Sequence, residues 1–181
     1  MVMKKVLAVL AAICLLASVS VADDQSINIG SLELGDTYLD ITHVDADPFK
    51  GALTVTVTNT GTEAWTDFHF EIWNGFGGDA TSVLFVDGGS LDPTSTQVLD
   101  SWSIGTTTLA DPGVAGGIGF SKIDLYFAND VVNVGETATF TVYTDNTAEE
   151  LTWFGVAVYP TPEPATMAML ALGGLLIRRR K

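Results

Sequence analysis

Three segments of this chain alternate apolar and polar residues with a period of two. They run from Ala52 to Thr58, from Asp67 to Trp73 and from Thr137 to Tyr143. Successive side chains of a β-strand point to opposite faces, so each segment predicts a half-buried strand with one apolar face. No segment between residues 23 and 159 has the period of an amphipathic helix. The pattern therefore restricts this region to an all-β fold.

Further strands are predicted near residues 37–44, 82–87, 96–104, 118–128 and 151–158, where apolar and β-branched residues are concentrated. Turn-forming residues separate the strands, for example Asn59-Thr60-Gly61-Thr62 and Asp87-Gly88-Gly89. The region between the two ends is about 140 residues long, which suits one domain with one core. Seven or eight short strands with regular breaks indicate a single antiparallel β-sandwich over residues 23–159.

Two short motifs in this region resemble bacterial immunoglobulin-like adhesion modules. The segment from Leu53 to Trp65 contains Val-Thr-Val-Thr-Asn-Thr-Gly-Thr, which is similar to their second strand and turn. The segment from Val134 to Phe140, where a Gly-Glu turn leads into an alternating strand, is similar to a later strand of these modules. The resemblance implies an immunoglobulin-like sandwich and carries over no binding residue.

The region from residue 160 to residue 181 has three parts. Pro162-Glu163-Pro164 lies on a proline-rich stalk, residues 165–177 are apolar, and Arg178-Arg179-Arg180-Lys181 is basic. As a helix, the 13 residues from 165 to 177 span about 20 Å, whereas a bilayer core is about 30 Å thick. We therefore expect a short hydrophobic helix that enters the inner membrane transiently, with the basic residues as a cytoplasmic stop. A simple tail anchor with a chance Pro-Glu-Pro is the alternative.

This arrangement of motif, apolar segment and basic cluster resembles the PEP-CTERM sorting signal. The resemblance implies that an exosortase, a membrane-embedded cysteine protease, recognises Pro162, Glu163 and Pro164 and removes the tail. It also implies a setting of exopolysaccharide production and biofilm architecture. Attachment by a cell-wall sortase fits less well, because no Leu-Pro-x-Thr-Gly motif stands upstream.

Residues 1–22 predict a signal peptide. Two lysines precede an apolar run from Val6 to Val21, and small residues end at Ala22, where we expect signal peptidase to cleave. The one cysteine, Cys14, lies inside this segment, and Ile13 before it does not fit a lipoprotein signal. After cleavage the chain has no cysteine for a disulfide, a thiolate nucleophile or a thiolate metal site.

The region between the two signals is strongly acidic. Of the 8 Lys and Arg residues, only Lys50 and Lys122 lie between residues 23 and 162, together with all of the 22 acidic residues except Glu163. Two positive and 21 negative charges give this region a formal net charge of −19. A surface of this charge repels phosphate backbones and anionic membranes, so we expect no nucleic-acid partner. The charge favours solubility outside the cell or binding of divalent cations.

We expect no cofactor, with calcium as the alternative, because aspartates fall in loop-like segments where oxygen ligands for calcium are common. These residues are Asp23, Asp24, Asp45, Asp47, Asp87 and Asp92. No Asp-x-Asp-x-Asp-Gly loop is present, so the sequence identifies no particular metal ligands.

The residues that usually carry catalysis form no known motif here. No Gly-x-Ser-x-Gly or Ser-x-x-Lys motif supports a nucleophilic serine. His43 and His69 lie on separate predicted strands, and we expect His69 to be solvated beside Asp67 and Glu71. Paired carboxylates such as Glu149-Glu150 arise by chance in an acidic chain, so a hydrolase is the weakest alternative.

The four tryptophans divide into two groups. We expect Trp102 and Trp153 in the core or at its edge, because tryptophan buries a large apolar area. Trp65 and Trp73 have the same parity as His69, which places them on the outward face of a strand. Exposed there, both rings are candidates for stacking on sugars.

These observations predict an exported, non-enzymatic protein of the cell surface or extracellular matrix. Its expected partners are signal peptidase, an exosortase, and exopolysaccharide or other matrix proteins. The alternative is a carbohydrate-binding module, assisted by calcium, that contacts glycan through Trp65 and Trp73.

Overall fold

The computed structural model describes residues 24–74, 80–107, 119–148 and 150–161. Several predicted features lie outside these ranges: the cleavage site at Ala22, the sorting motif Pro162-Glu163-Pro164, the apolar segment 165–177 and the basic cluster 178–181. Within the described ranges, no helix has the length and apolar character needed to cross a bilayer.

The described residues form ten β-strands. They are β1 (Gln25–Leu32), β2 (Tyr38–Val44), β3 (Lys50–Asn59), β4 (Asp67–Trp73), β5 (Leu84–Val86), β6 (Thr94–Ser95), β7 (Ser101–Thr106), β8 (Ser121–Tyr126), β9 (Thr137–Asp145) and β10 (Trp153–Tyr159). One 3-10 turn, Gly89–Leu91, follows β5. The all-β class predicted from the alternation is therefore confirmed for this part of the chain.

The strands form two five-stranded sheets. The first sheet has the order β1-β3-β9-β5, with β6 also paired to β9, and the second has the order β2-β10-β4-β8-β7. All pairs are antiparallel except β1 with β3, which is parallel. The prediction of a purely antiparallel sandwich is wrong at this edge.

The two sheets pack face to face around one apolar core. Phe68 of β4 stacks on Phe140 of β9, with ring centroids 4.5 Å apart and planes 9° apart, so the sheets are in direct contact. The apolar sides of the three alternating segments all face this interior, and their Phe, Ile, Leu and Val residues there are 0% exposed. Burial of these side chains is the main driving force that holds the sheets together.

Threonines line the outer face of the first sheet. Three pairs lie directly opposite each other on β3 and β9, and their hydroxyl oxygens are 2.8, 3.0 and 2.8 Å apart: Thr54 with Thr141, Thr56 with Thr139, and Thr58 with Thr137. We call these six residues the threonine strip. Five are half-exposed and Thr137 is exposed, so the strip is an uncharged polar surface.

The structure differs from the sequence prediction in two places. β1 was not predicted, because a register shift between Asn28 and Gly30, where Gly30 has a φ of 78°, interrupts its alternation. The predicted strand at 96–104 is instead divided: β6 joins the first sheet and β7 the second, and the chain crosses between the sheets from residue 96 to residue 100.

The two histidines of the second sheet lie beside opposite ends of β10. At its start, Phe154 pairs with His43 of β2, and at its end, Tyr159 pairs with His69 of β4. These two positions are five residues apart, so they are separated by about 17 Å and point to opposite faces of the sheet. The end at Tyr159 is where the described chain leaves the sandwich.

Candidate functional site

The chain leaves the sandwich through a cluster of polar side chains, which we call the exit cluster: Asp67, His69, Asp124 and Thr161. Thr161, two residues after the end of β10, donates its backbone N–H to Asp67 Oδ1 at 2.9 Å and its hydroxyl to Asp67 Oδ2 at 2.7 Å. One carboxylate therefore engages both donors of the last described residue. Pro162, the first residue of the predicted sorting motif, follows directly.

His69 lies at the centre of the exit cluster. Its Nδ1 is 2.5 Å from Asp124 Oδ1 on the neighbouring strand β8, and a carboxylate only accepts, so Nδ1 carries the hydrogen. Its Nε2 is 3.1 Å from the Thr161 hydroxyl and 3.4 Å from Asp67 Oδ2. The ring is therefore held between two carboxylates.

The two carboxylates change the titration of this histidine. Burial lowers the pKa of His69, but hydrogen bonds to Asp124 and Asp67 and the charges of both outweigh it, so the pKa lies above its usual 6.5. Burial raises the pKa of Asp67 and of Asp124, but other groups outweigh it, so both pKa values lie below the usual 3.8. These groups are His69 and Thr161 for Asp67, and His69 and Lys122 for Asp124. The cluster therefore favours the imidazolium form of His69 with both aspartates ionised.

Neighbouring side chains close the cluster from the side. The Tyr159 ring stacks on the His69 ring, with centroids 5.1 Å apart and planes 29° apart, and its hydroxyl donates to Glu71 Oε2 at 3.2 Å. Lys122 Nζ lies 3.3 Å from Asp124 Oδ1 and 5.9 Å from the centre of the Tyr159 ring. As a result, Asp67, His69 and Glu71 are 7%, 5% and 0% exposed.

The order Thr161, His69, Asp124 matches the order of nucleophile, base and acid in a hydrolase triad. A nucleophilic hydroxyl must donate to a neutral imidazole nitrogen, whereas the Thr161 hydroxyl donates to Asp67. With His69 favoured in its protonated form, Nε2–H donates to the Thr161 oxygen instead. The arrangement is suited to holding Thr161 in place.

The expectation that His69 is solvated is wrong. Its parity on β4 was read correctly, beside Asp67 and Glu71, but the face is covered by Tyr159 of β10, by Lys122 and Asp124 of β8, and by Thr161. Sequence reasoning missed Asp124, Tyr159 and Thr161 as parts of this site. The one local signal was Asp67-Phe68-His69, two polar side chains on one strand face directly before an apolar run.

The structure also corrects the interpretation of the tryptophans. Trp65 is 0% exposed: it forms a backbone bridge with Val132 before β4 begins, and its ring packs on Phe68 with centroids 5.9 Å apart. Its predicted outward placement is wrong, because the strand parity does not extend back to it. Trp73 is half-buried and lies so close to Gly155 that a Cβ there would overlap the indole.

Trp102 and Trp153, expected in the core or at its edge, are half-buried. Trp102 packs against the core and donates its indole N–H to Asp87 at 2.9 Å.

Of the aspartates considered for calcium, Asp23 lies outside the described residues, and three others each have a different intramolecular partner. Asp24 accepts from the Ala52 N–H, Asp87 from Trp102, and Asp92 from the Gly88 N–H. In the described part of the chain, no three His, Cys, Asp or Glu residues are grouped so that they could hold a metal ion.

A second histidine and aspartate lie inside the sandwich, and with Gln25 and Thr144 they form what we call the sealed cluster. His43 Nδ1 is 2.9 Å from Gln25 Oε1, and His43 Nε2 is 3.1 Å from Asp45 Oδ1 in an ion-pair contact that is not an aligned hydrogen bond. Thr144 of β9 donates to Asp45 Oδ2 at 3.0 Å. His43 and Asp45 are both 0% exposed and Thr144 is 1% exposed, whereas Gln25 is half-buried, so the cluster joins β1, β2 and β9 around a buried histidine and aspartate.

Comparison with known proteins bears on the segment that follows the exit cluster. Residues 160–181 match the family model of the PEP-CTERM protein-sorting motif. None of the curated proteins and none of the solved structures has a significant match to the chain. The match begins one residue before Thr161, so it includes this residue of the exit cluster. The chain therefore carries a PEP-CTERM sorting signal, and this signal implies export and recognition by an exosortase.

Proposed function

We propose that this chain is a non-enzymatic component of the cell surface or extracellular matrix that associates with exopolysaccharide. The observation that carries the proposal is the threonine strip. It is a row of uncharged hydroxyls on the open face of the first sheet, within a region whose formal net charge is −19 from two basic and 21 acidic residues.

The chemistry of the strip suits a polymer rich in hydroxyl groups. Each threonine hydroxyl has one hydrogen to donate and two lone pairs. Within a pair such as Thr56 and Thr139, one hydroxyl donates to the other, so one hydrogen and several lone pairs stay available to a ligand. A neutral polysaccharide meets no charge repulsion on this face, and the threonine methyl groups offer apolar contact to sugar rings.

The exit cluster supports the non-enzymatic part of the proposal. Its hydroxyl, imidazole and carboxylates resemble a hydrolase triad in order, but they are engaged in holding Thr161. We also propose that the sandwich is of the immunoglobulin-like type. This is supported by the two packed sheets and by Asn59, whose side chain donates to the carbonyl of Glu63 in the turn after β3 and to that of Val132 between β8 and β9.

The test is retention of the secreted protein by exopolysaccharide isolated from the cells that produce it. We expect the Thr56→Val, Thr139→Val double variant to be retained several-fold less than the wild type, because it removes the hydroxyls at the centre of the strip and preserves the side-chain shape. Thr106→Val on β7 is the matched control, since it makes the same change at an exposed position of the second sheet.

Equal retention of the double variant and the control would contradict a role of the threonine strip. The same samples are assayed for new reducing ends. Release of sugar that depends on the wild-type protein would contradict the non-enzymatic assignment.

A further inference from the structure

The distance between the folded domain and the sorting motif is set by the exit cluster. β10 ends at Tyr159, a single proline follows, and Thr161 is then bound to Asp67 through two hydrogen bonds. Glu163 is two residues beyond Thr161, so at about 3.5 Å per residue it lies within roughly 7 Å of a residue that the domain holds. If Thr161 were released, the same glutamate could lie anywhere within about 14 Å of Tyr159.

The hydrogen bonds to Thr161 restrict its orientation as well as its position. Bonds from both the backbone N–H and the hydroxyl to one carboxylate define the orientation of the backbone and of the side chain together. His69 contacts the same hydroxyl at 3.1 Å, and Tyr159 stacks on His69, so the strand end and the exit cluster support each other. Pro160 and Pro162, on either side of Thr161, restrict the backbone further.

We propose that Asp67 and His69 are positioning residues for exosortase processing. By holding Thr161, they fix the point from which Pro162-Glu163-Pro164 extends and so limit the space that the motif can occupy. A motif that starts from a fixed residue has less conformational freedom to lose when the enzyme binds it, so the entropy cost of binding is smaller. This inference is independent of the matrix role proposed above, because it concerns delivery of the protein and not its task after delivery.

The experiment measures processing of the full chain in the cells that export it, by pulse labelling and intact mass of precursor and mature forms. We expect Asp67→Ala to slow processing by about tenfold, because both bonds from Thr161 to this carboxylate are lost. We expect Thr161→Val to slow it by only about threefold, because the backbone bond to Asp67 remains. Thr161→Ser retains the hydroxyl and is expected to be processed at the wild-type rate. Thr106→Val and Asp100→Ala are matched controls, since Asp100 receives two comparable bonds from Asn129 and is not part of the exit cluster.

An insertion variant distinguishes a positioning role of the exit cluster from a role in stability alone. Gly-Ser-Gly-Ser placed between Thr161 and Pro162 leaves the exit cluster intact and detaches the motif from it, so we expect slow processing together with an unchanged unfolding temperature. A cluster that only stabilises the fold would leave the insertion variant and Thr161→Val at the wild-type rate, even if Asp67→Ala failed to fold. That pattern overturns the proposal, as does faster processing of either variant.

Discussion

The sealed cluster and the exit cluster use the same residue pair in different surroundings. Each contains a histidine and an aspartate two residues apart in the chain: His43-Val44-Asp45 at the end of β2 in the first case, and Asp67-Phe68-His69 within β4 in the second. The first pair points between the sheets and the second points away from them, at opposite ends of β10. Similar local sequences therefore serve to join strands in one place and to hold the departing chain in the other.

The energetic consequences of the two locations differ. In the sealed cluster His43 and Asp45 are both 0% exposed, so removal of one leaves the other buried without its partner. The exit cluster lies at the edge of the sandwich, where the Asp124 side chain is 20% exposed. Water can therefore form hydrogen bonds with groups in this cluster that lose a protein partner. We therefore expect changes in the sealed cluster to alter global stability, and changes in the exit cluster to alter mainly the local order of Thr161.

The largest effect is expected from Asp45→Ala. Loss of the carboxylate leaves His43 and the Thr144 hydroxyl without this partner, which should lower the free energy of unfolding by about 3–5 kcal/mol. The measurement is urea unfolding of the purified domain. The double variant His43→Phe, Asp45→Ala is the comparison, because it removes both polar groups and should lose less stability than the single variant. A single variant as stable as the double one contradicts the description of this pair.

A smaller effect is expected from pH, through the exit cluster. Because the pKa of His69 is raised in the folded state, its contribution is complete below the unfolded pKa of 6.5 and is lost as pH rises through the folded pKa. The lowered pKa values of Asp67 and Asp124 give contributions that are present above 3.8 and are lost as pH falls through the folded values. The cluster should therefore stabilise the domain most between about pH 4 and pH 6.5.

The pH prediction is checked by nuclear magnetic resonance titration of His69 and by unfolding free energy against pH. Each unit by which the folded pKa exceeds the unfolded one corresponds to about 1.4 kcal/mol. His69→Gln should remove the decline in stability on the alkaline side. A midpoint for His69 at or below 6.5 would falsify this assignment.

The smallest effect is expected at the two lysines of the acidic region. Lys50 pairs with Asp145 at 2.8 Å, next to the sealed cluster, but its side chain is 52% exposed. Lys50→Gln should therefore change the unfolding free energy by less than about 1 kcal/mol, and added salt should abolish the difference. Lys122, whose side chain is 10% exposed beside Asp124, should give a larger change on replacement by glutamine that persists in salt. A larger loss of stability for Lys50→Gln than for Lys122→Gln would contradict the assignment of Lys50 to the surface and of Lys122 to the interior.

Much of the strand content could be predicted, because alternation is a local property. The segment Asp67–Trp73 is a strand with the predicted ends, and the alternating stretches near Leu53 and Phe140 are strands with buried apolar sides. The same reasoning failed for Trp65, because the chain bends at Thr66 and the parity of β4 does not reach it. It also missed the parallel pairing of β1, which depends on a partner that begins about 25 residues later in the chain.

The exit cluster could be predicted only in part. Asp67 and His69 were placed on one face correctly, since they are two residues apart on a strand. Asp124 joins them because β8 pairs with β4 in a register that sets it opposite His69, and Thr161 joins because β10 lies on the other side of β4. Neither register can be read from local sequence.

By itself, the sequence determined the sorting signal, the acidic charge and the positions of most strands, since each depends on residue types at short separations. The tertiary structure alone decided that the outward face of β4 is buried and that Thr161 is held next to the motif. These features depend on residues up to 94 positions apart, brought together by strand pairing and by the packing of the two sheets. The exposure of a side chain is a property of what covers its face, and here the covering groups come from β8, β10 and the departing chain.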